Sequence, residues 1–254
     1  MTLDVHTHPV LFREGSRRED VRRLVDRARS FGIQRMVALG DVLRFGRLPN
    51  ARQISTINEE TAQLLRWHPD VFIGFCHLNP MLGERAMVRE LERLLPLGFR
   101  GLKLEISNNA RAACMRPLMR LAERHDLVVL QHSWSMTRIR ERAFHSDPAD
   151  TAELAKRFPN VRVIMAHLTG CGVRGILEVK AIDNLVVDTS GAAPEEGVMQ
   201  AAVEHLGAER ILYGSDWPIR DFPVALARIT ASGLGLADQR RILGENARRW
   251  LRLP

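Results

Sequence analysis

Short apolar runs alternate along this chain with longer stretches whose apolar residues recur at three and four positions. That is the pattern of strands separated by amphipathic helices. Strands are predicted over residues 3–5, 35–39, 71–76, 101–105, 127–130, 161–166, 185–187 and 211–213. Helices are predicted over 17–31, 54–67, 84–95, 112–123, 148–158, 173–180 and 197–206, with 222–230 and 237–251 closing the chain. Gly32 punctuates the first helix, and the second stops before Pro69. Eight such units predict an α/β protein, a single (β/α)8 TIM barrel spanning residues 1–254, against the alternative of an open doubly wound sheet. Polar inserts at 9–15, 40–52 and 133–147 each follow a strand, on the face where a barrel assembles its site.

Composition narrows the picture. The 254 residues are 45% hydrophobic, enough to bury a large core. No apolar run nears the roughly 18 residues of a membrane span, and the first residues lack a basic and then apolar leader. Cys76, Cys114 and Cys171 are too scattered for a disulfide framework or a cysteine metal cluster. A cytoplasmic protein with no membrane partner is the expectation. The formal charge of +7 raises the question of nucleic acid. The densest basic run, residues 17–29, is however interrupted by Glu19, Asp20 and Asp26 and striped by Val21, Leu24, Val25 and Ala28. It reads as a solvated helix with one buried face, so no nucleic-acid partner is expected. A small, anionic substrate is compatible with the charge. No phosphate loop, dinucleotide fingerprint or nucleophile elbow is present.

The chemistry gathers at predicted strand exits. His6 and His8, two apart at the end of the first strand, share one face and can reach one ion. Gln131-His132 ends the fifth strand, His167 ends the sixth, and Asp216 follows the eighth in Gly214-Ser215-Asp216-Trp217-Pro218. In a closed barrel these ends converge. Four imidazoles and a carboxylate are a donor set for a divalent metal and a polarised water. Lys103 and Glu105 alternate onto one face of the fourth strand. Lys103 is read first as the internal ion-pair partner of Glu105, with contact to a substrate carboxylate or a carbamylated bridging ligand as alternatives. Glu105 is read as a ligand to an ion. Asn108, Trp134 and Trp217 are weaker candidates for contact with substrate.

Taken in order, Leu3-Asp4-Val5-His6-Thr7-His8, Gly101-Leu102-Lys103-Leu104, Gln131-His132, Ala166-His167-Leu168-Thr169-Gly170 and Gly214-Ser215-Asp216-Trp217-Pro218 resemble the metal-dependent amidohydrolase superfamily. The nearest resemblance is to its amidohydrolase-related branch, which contains aminocarboxymuconate-semialdehyde decarboxylase and related hydrolases. The resemblance implies His6, His8 and Asp216 as metal ligands, with His132 as ligand or polariser. It implies that His167 binds a second metal or contacts substrate and the reacting water. It also implies one or two divalent ions, first Zn2+ with Mn2+ or Fe2+ as alternatives, and it is compatible with a homodimer. Where relatives often carry histidine after Gly-x-Lys-Leu, this chain has Glu105, which points toward a binuclear centre. The expected activity is metal-dependent hydrolysis of an amide, lactone or related ester of a small molecule, with Asp216 as base and His132 or His167 stabilising the oxyanion. Two alternatives stand beside it: non-hydrolytic decarboxylation of an unsaturated or aromatic carboxylic acid, and a catalytically silent metal-binding protein.

Overall fold

The computed structural model describes residues 1–10, 17–104, 107–135, 138–193 and 195–253. Eight parallel strands follow one another in sequence order around one sheet: β1 (Thr2–Thr7), β2 (Ile33–Leu39), β3 (Phe72–Cys76), β4 (Phe99–Leu104), β5 (Val128–Gln131), β6 (Val163–Met165), β7 (Leu185–Asp188) and β8 (Ile211–Leu212). The crossover helices are α1 (Arg18–Ser30), α2 (Ala51–Trp67), α3 (Glu84–Leu94), α4 (Met115–Arg124), α5 (Pro148–Arg157), α6 (Leu168–Val179) and α7 (Val198–Leu206), and α8 (Phe222–Thr230) follows β8. The ring closes through the backbone. Val5 N–H donates to Tyr213 O at 2.9 Å, Asp216 N–H to His6 O at 2.8 Å and His8 N–H to Trp217 O at 2.7 Å. The (β/α)8 barrel is therefore the architecture, and the unbroken strand order excludes the doubly wound sheet. Among the described residues no helix is long and apolar enough to cross a membrane.

Strand alternation builds two apolar layers. Val5, Leu39, Phe75, Leu130, Ile164 and Leu212 fill the barrel interior. The other face of the sheet presents Met36, Leu102, Val129 and Val163 to helix residues such as Leu24, Leu64, Leu91 and Leu118. Each fully buried aliphatic side chain contributes about 1.5–3 kcal/mol, which ties every helix to the sheet. One irregularity in β1 matters for chemistry. Asp4 pairs with Met36 and Thr7 with Ala38, so three steps on β1 match two on β2. The extra residue is a bulge that reverses side-chain parity. Val5 already points into the barrel, and the bulge allows the next residue, His6, to face the mouth as well.

The largest departures from the sequence pattern lie in two helices. Helix α6 begins at Leu168 rather than 173, and it is broken at Gly172, whose φ of 62° is left-handed. Gly170 and Gly172 weaken the helical pattern, yet Gly170 N–H and Cys171 N–H both donate to His167 O, at 2.7 and 2.8 Å, and nucleate the first turn. The closing helix is divided into Leu236–Arg240, a π-helical turn Arg241–Glu245 and Asn246–Trp250. Gly244 lies in that turn against the backbone carbonyl of Met1, where no side chain fits.

Candidate active site

The bulged end of β1 and the segment after β8 bring three donors together. His6 Nε2 lies 3.3 Å from His8 Nε2 and 3.4 Å from Asp216 Oδ1, and His8 Nε2 lies 3.7 Å from Asp216 Oδ1. All three residues are buried. Two donors each about 2.1 Å from a tetrahedral ion stand about 3.4 Å apart, so the observed spacings fit one divalent ion. Among the described residues this is the one such group of histidine, cysteine and carboxylate donors. His132 and His167 stand beside it. Their rings meet edge to face at 4.6 Å, and the His167 ring is 5.0 Å from that of His6. Asp216 offers its second oxygen to His167, with Oδ2 3.8 Å from Nε2.

Backbone geometry holds these side chains in place. His167 and Asp216 both adopt left-handed φ, 69° and 65°, an uncommon conformation for side-chain-bearing residues. Each is fixed on both sides. His167 N–H donates to Asp188 Oδ1 at 3.0 Å, while its carbonyl accepts the first bonds of α6. Asp216 N–H donates to His6 O, and its own carbonyl accepts from Ile219 N–H at 2.9 Å. The backbone thus couples the two halves of the donor set directly.

A buried acidic layer lies beneath the imidazoles, and sequence reasoning missed it. Asp188, fully buried at the end of β7, accepts from His6 Nδ1–H through Oδ2 at 2.8 Å. Burial alone would push its carboxyl up. His6, through charge and hydrogen bond, together with His167 and Ser190, outweighs that and holds it well below the carboxylate range. Asp4 receives His6 N–H and Ser215 N–H, each at 3.0 Å. There burial wins, and its carboxyl is pushed up to about 7. The His167 imidazole is driven well below its ordinary value by burial, reinforced by His132, His6 and Lys103. The signal for Asp188 was present. Leu185-Val186-Val187-Asp188 is an apolar strand closed by an ionisable residue, much as His132 and His167 follow the apolar runs of β5 and β6.

The donors open into a cavity of about 320 Å³. Val42, Leu43, Trp134 and Ile219 form its apolar wall, and Asp41 and Arg220 also line it. Trp134, named from sequence, lies edge to face over His167 at 5.7 Å, with its indole laid on the bare Cα of Gly170. Two other named candidates lie elsewhere. Asn108 lines a separate small pocket with His77 and Met115, and Trp217 stacks on Phe222 at 5.9 Å. Lys103 is fully buried with Nζ 3.3 Å from His6 Nε2. Glu105, its expected partner and a candidate ligand, lies outside the described residues. His145 sets its ring 6.3 Å from that of His132. It also pairs through Nε2 with Arg47 at 3.2 Å, where the long loops after β2 and β5 meet.

Residues 3–253 match the family described as Amidohydrolase. The chain belongs to this amidohydrolase family. No curated protein matches this amidohydrolase in sequence. Solved structures of similar shape include 2,6-dihydroxybenzoate decarboxylase from Rhizobium, 20% identical with a TM-score of 0.76, the match covering 99% of this chain and 98% of the other. A dihydroxybenzoic acid decarboxylase from Polaromonas sp., solved with manganese and the inhibitor 2-nitroresorcinol, is 18% identical with a TM-score of 0.72 over 99% and 96%. The 4-oxalomesaconate hydratase from Rhodopseudomonas palustris is 14% identical with a TM-score of 0.72 over 99% and 96%. At these identities the likeness establishes the fold. With the His6–His8–Asp216 cluster at its mouth, which forms one divalent-metal site among the described residues, this amidohydrolase is a metal-dependent enzyme.

Proposed function

We propose that this amidohydrolase is a metal-dependent, non-hydrolytic decarboxylase of a small unsaturated or aromatic carboxylic acid. The observation that carries the reading is a 320 Å³ cavity lined both by the donor cluster and by the apolar Val42, Leu43, Trp134 and Ile219. A compact planar acid meets both demands, with its carboxylate on the polar side and its ring on Trp134, Val42 and Leu43. Decarboxylases of hydroxylated benzoic acids are among the similar solved structures, which supports this reading.

His6, His8 and Asp216 Oδ1 are the groups that would hold the ion, with His132 as a neighbouring donor or polariser. Zn2+ is the ion proposed from the two imidazoles, with Mn2+, present in the Polaromonas relative, as the alternative. Bound there, it supplies a Lewis acid that anchors the substrate's carboxylate and adjacent oxygen. The chain's own residues do the rest. Arg220, one of the cavity-lining residues, attracts an anionic substrate, and Trp134, Val42 and Leu43 receive its apolar part. Asp216 Oδ2 and His167 Nε2, 3.8 Å apart, hold the proton that replaces the carboxylate. That proton is added to the carbon bearing the carboxylate, the bond to the carboxylate breaks, its electron pair restores the unsaturation, and carbon dioxide departs. Solvent then returns a proton to the pair.

The test is turnover of metal-loaded protein on hydroxybenzoic and unsaturated acids beside amides, lactones and esters. The expected result is carbon dioxide release, with one deuterium placed on carbon in D2O. His167→Gln is expected to lower kcat by about 10²- to 10⁴-fold at full metal content, and Arg220→Ala to raise KM with little change in kcat. Hydrolysis of a lactone or amide without loss of carbon dioxide would return the site to the hydrolytic reading.

A further inference from the structure

We infer that Asp188 is a positioning residue that aims His6 at the metal and fixes His167 beside it. One carboxylate does both. Oδ2 takes the Nδ1 proton of His6 at 2.8 Å, so the lone pair on Nε2 points into the triad. Oδ1 takes the backbone N–H of His167 at 3.0 Å and pins that residue in its left-handed conformation. The same Oδ1 accepts from Ser190 N–H at 3.0 Å and from the Ser190 hydroxyl. The carboxylate is therefore anchored from its own loop as well as by the His6 imidazole and the His167 backbone. Ser190 Oγ also lies 3.2 Å from His6 Nδ1.

The surrounding backbone is cut to admit this pair. At Gly214 a Cβ would fall 3.1 Å from both Asp188 Cγ and His6 Cβ, tighter than ordinary van der Waals contact. A bare α-carbon there leaves room for the carboxylate and ring to meet. Asp188 itself is absent from the tight donor group. A carboxylate behind a ligating imidazole sets its tautomer and orientation, and losing it commonly weakens metal binding 10- to 100-fold.

The test reads the metal and is independent of which reaction the enzyme runs. Asp188→Asn keeps the volume and one acceptor but can place an amide N–H against His6 Nδ1. Zinc affinity, measured by competition with a chromophoric chelator, is expected to fall about 10- to 100-fold with the circular dichroism spectrum unchanged. Ser190→Ala, which leaves the Asp188–His6 bond in place, is expected to lose about threefold or less. A folded Asp188→Asn protein that binds zinc as tightly as the parent overturns the inference, because a purely structural role would lower only the melting temperature. Should that variant fail to fold, nitrogen NMR of the zinc-loaded parent decides. His6 bound through Nε2 with its proton on Nδ1 is expected, and His6 bound through Nδ1 overturns the inference.

Discussion

Gly170→Ala tests how the cavity wall is held. Gly170 lies in the first turn of α6, where replacing glycine by alanine ordinarily gains up to about 1 kcal/mol of helix stability. Here the new Cβ would come within 2.8 Å of three indole atoms of Trp134, whereas carbon atoms in ordinary contact sit about 3.6 Å apart. The ring must withdraw by more than about 1 Å, and Trp134 also lines the cavity. Overpacking of this kind costs about 1–3 kcal/mol. A chain of this size shifts its Tm by about 2–4 °C per kcal/mol, so thermal unfolding should begin roughly 2–12 °C lower. The decisive measurement is a double-mutant cycle with Trp134→Ala. Without the indole the clash is gone, and Gly170→Ala should change sign, stabilising that background by up to about 1 kcal/mol. An equal, additive penalty in both backgrounds would refute the contact.

Further outcomes follow from the same geometry. Four-donor zinc sites bind with about 10–16 kcal/mol, or roughly 3 kcal/mol per donor. His8→Ala should therefore weaken zinc binding by about two orders of magnitude, and an unchanged affinity in a metal competition assay would remove His8 from the site. Stripping the metal with a chelator should abolish turnover while leaving the far-ultraviolet spectrum unchanged, because the apolar layers hold the barrel without the triad. Asp147 caps α5 through Ala149 N–H at 3.1 Å and pairs with Arg142 and Arg174. Burial alone would raise its carboxyl, but Arg174, the Ala149 N–H and Arg142 more than reverse this and hold it below the usual range. A depressed folded value stabilises above the unfolded value of about 3.9 and is lost as pH falls through the lower folded one. The Tm gap between the parent and Asp147→Asn should persist from neutral pH down to about 4 and close below it. A gap that widens as the solution is acidified would contradict the assignment.

Much of this protein is legible from the order of its residues. Eight apolar runs separated by amphipathic ones specify a (β/α)8 barrel because periods of 2.0 and 3.6 permit only those faces to be buried, and right-handed crossovers leave few ways to connect them. His6, His8 and Asp216 were legible because ionisable residues at successive strand exits must share one mouth once the sheet closes. The folded chain decided what depends on fractions of an ångström or on the other side of a strand. The bulge between Asp4 and Thr7, which turns His6 inward directly after Val5, leaves no mark in a two-residue alternation. Asp188 acquires its role only because β7, 182 residues from His6 along the chain, stands one strand away from β1 once the ring closes. Trp134 and Trp217 look alike as loop aromatics, and the bare Cα of Gly170 against one and the Phe222 ring beneath the other separate them. Local patterning encodes which face is buried. Which polar group ends up within hydrogen-bonding reach of another is set by closure of the ring, which no local window contains.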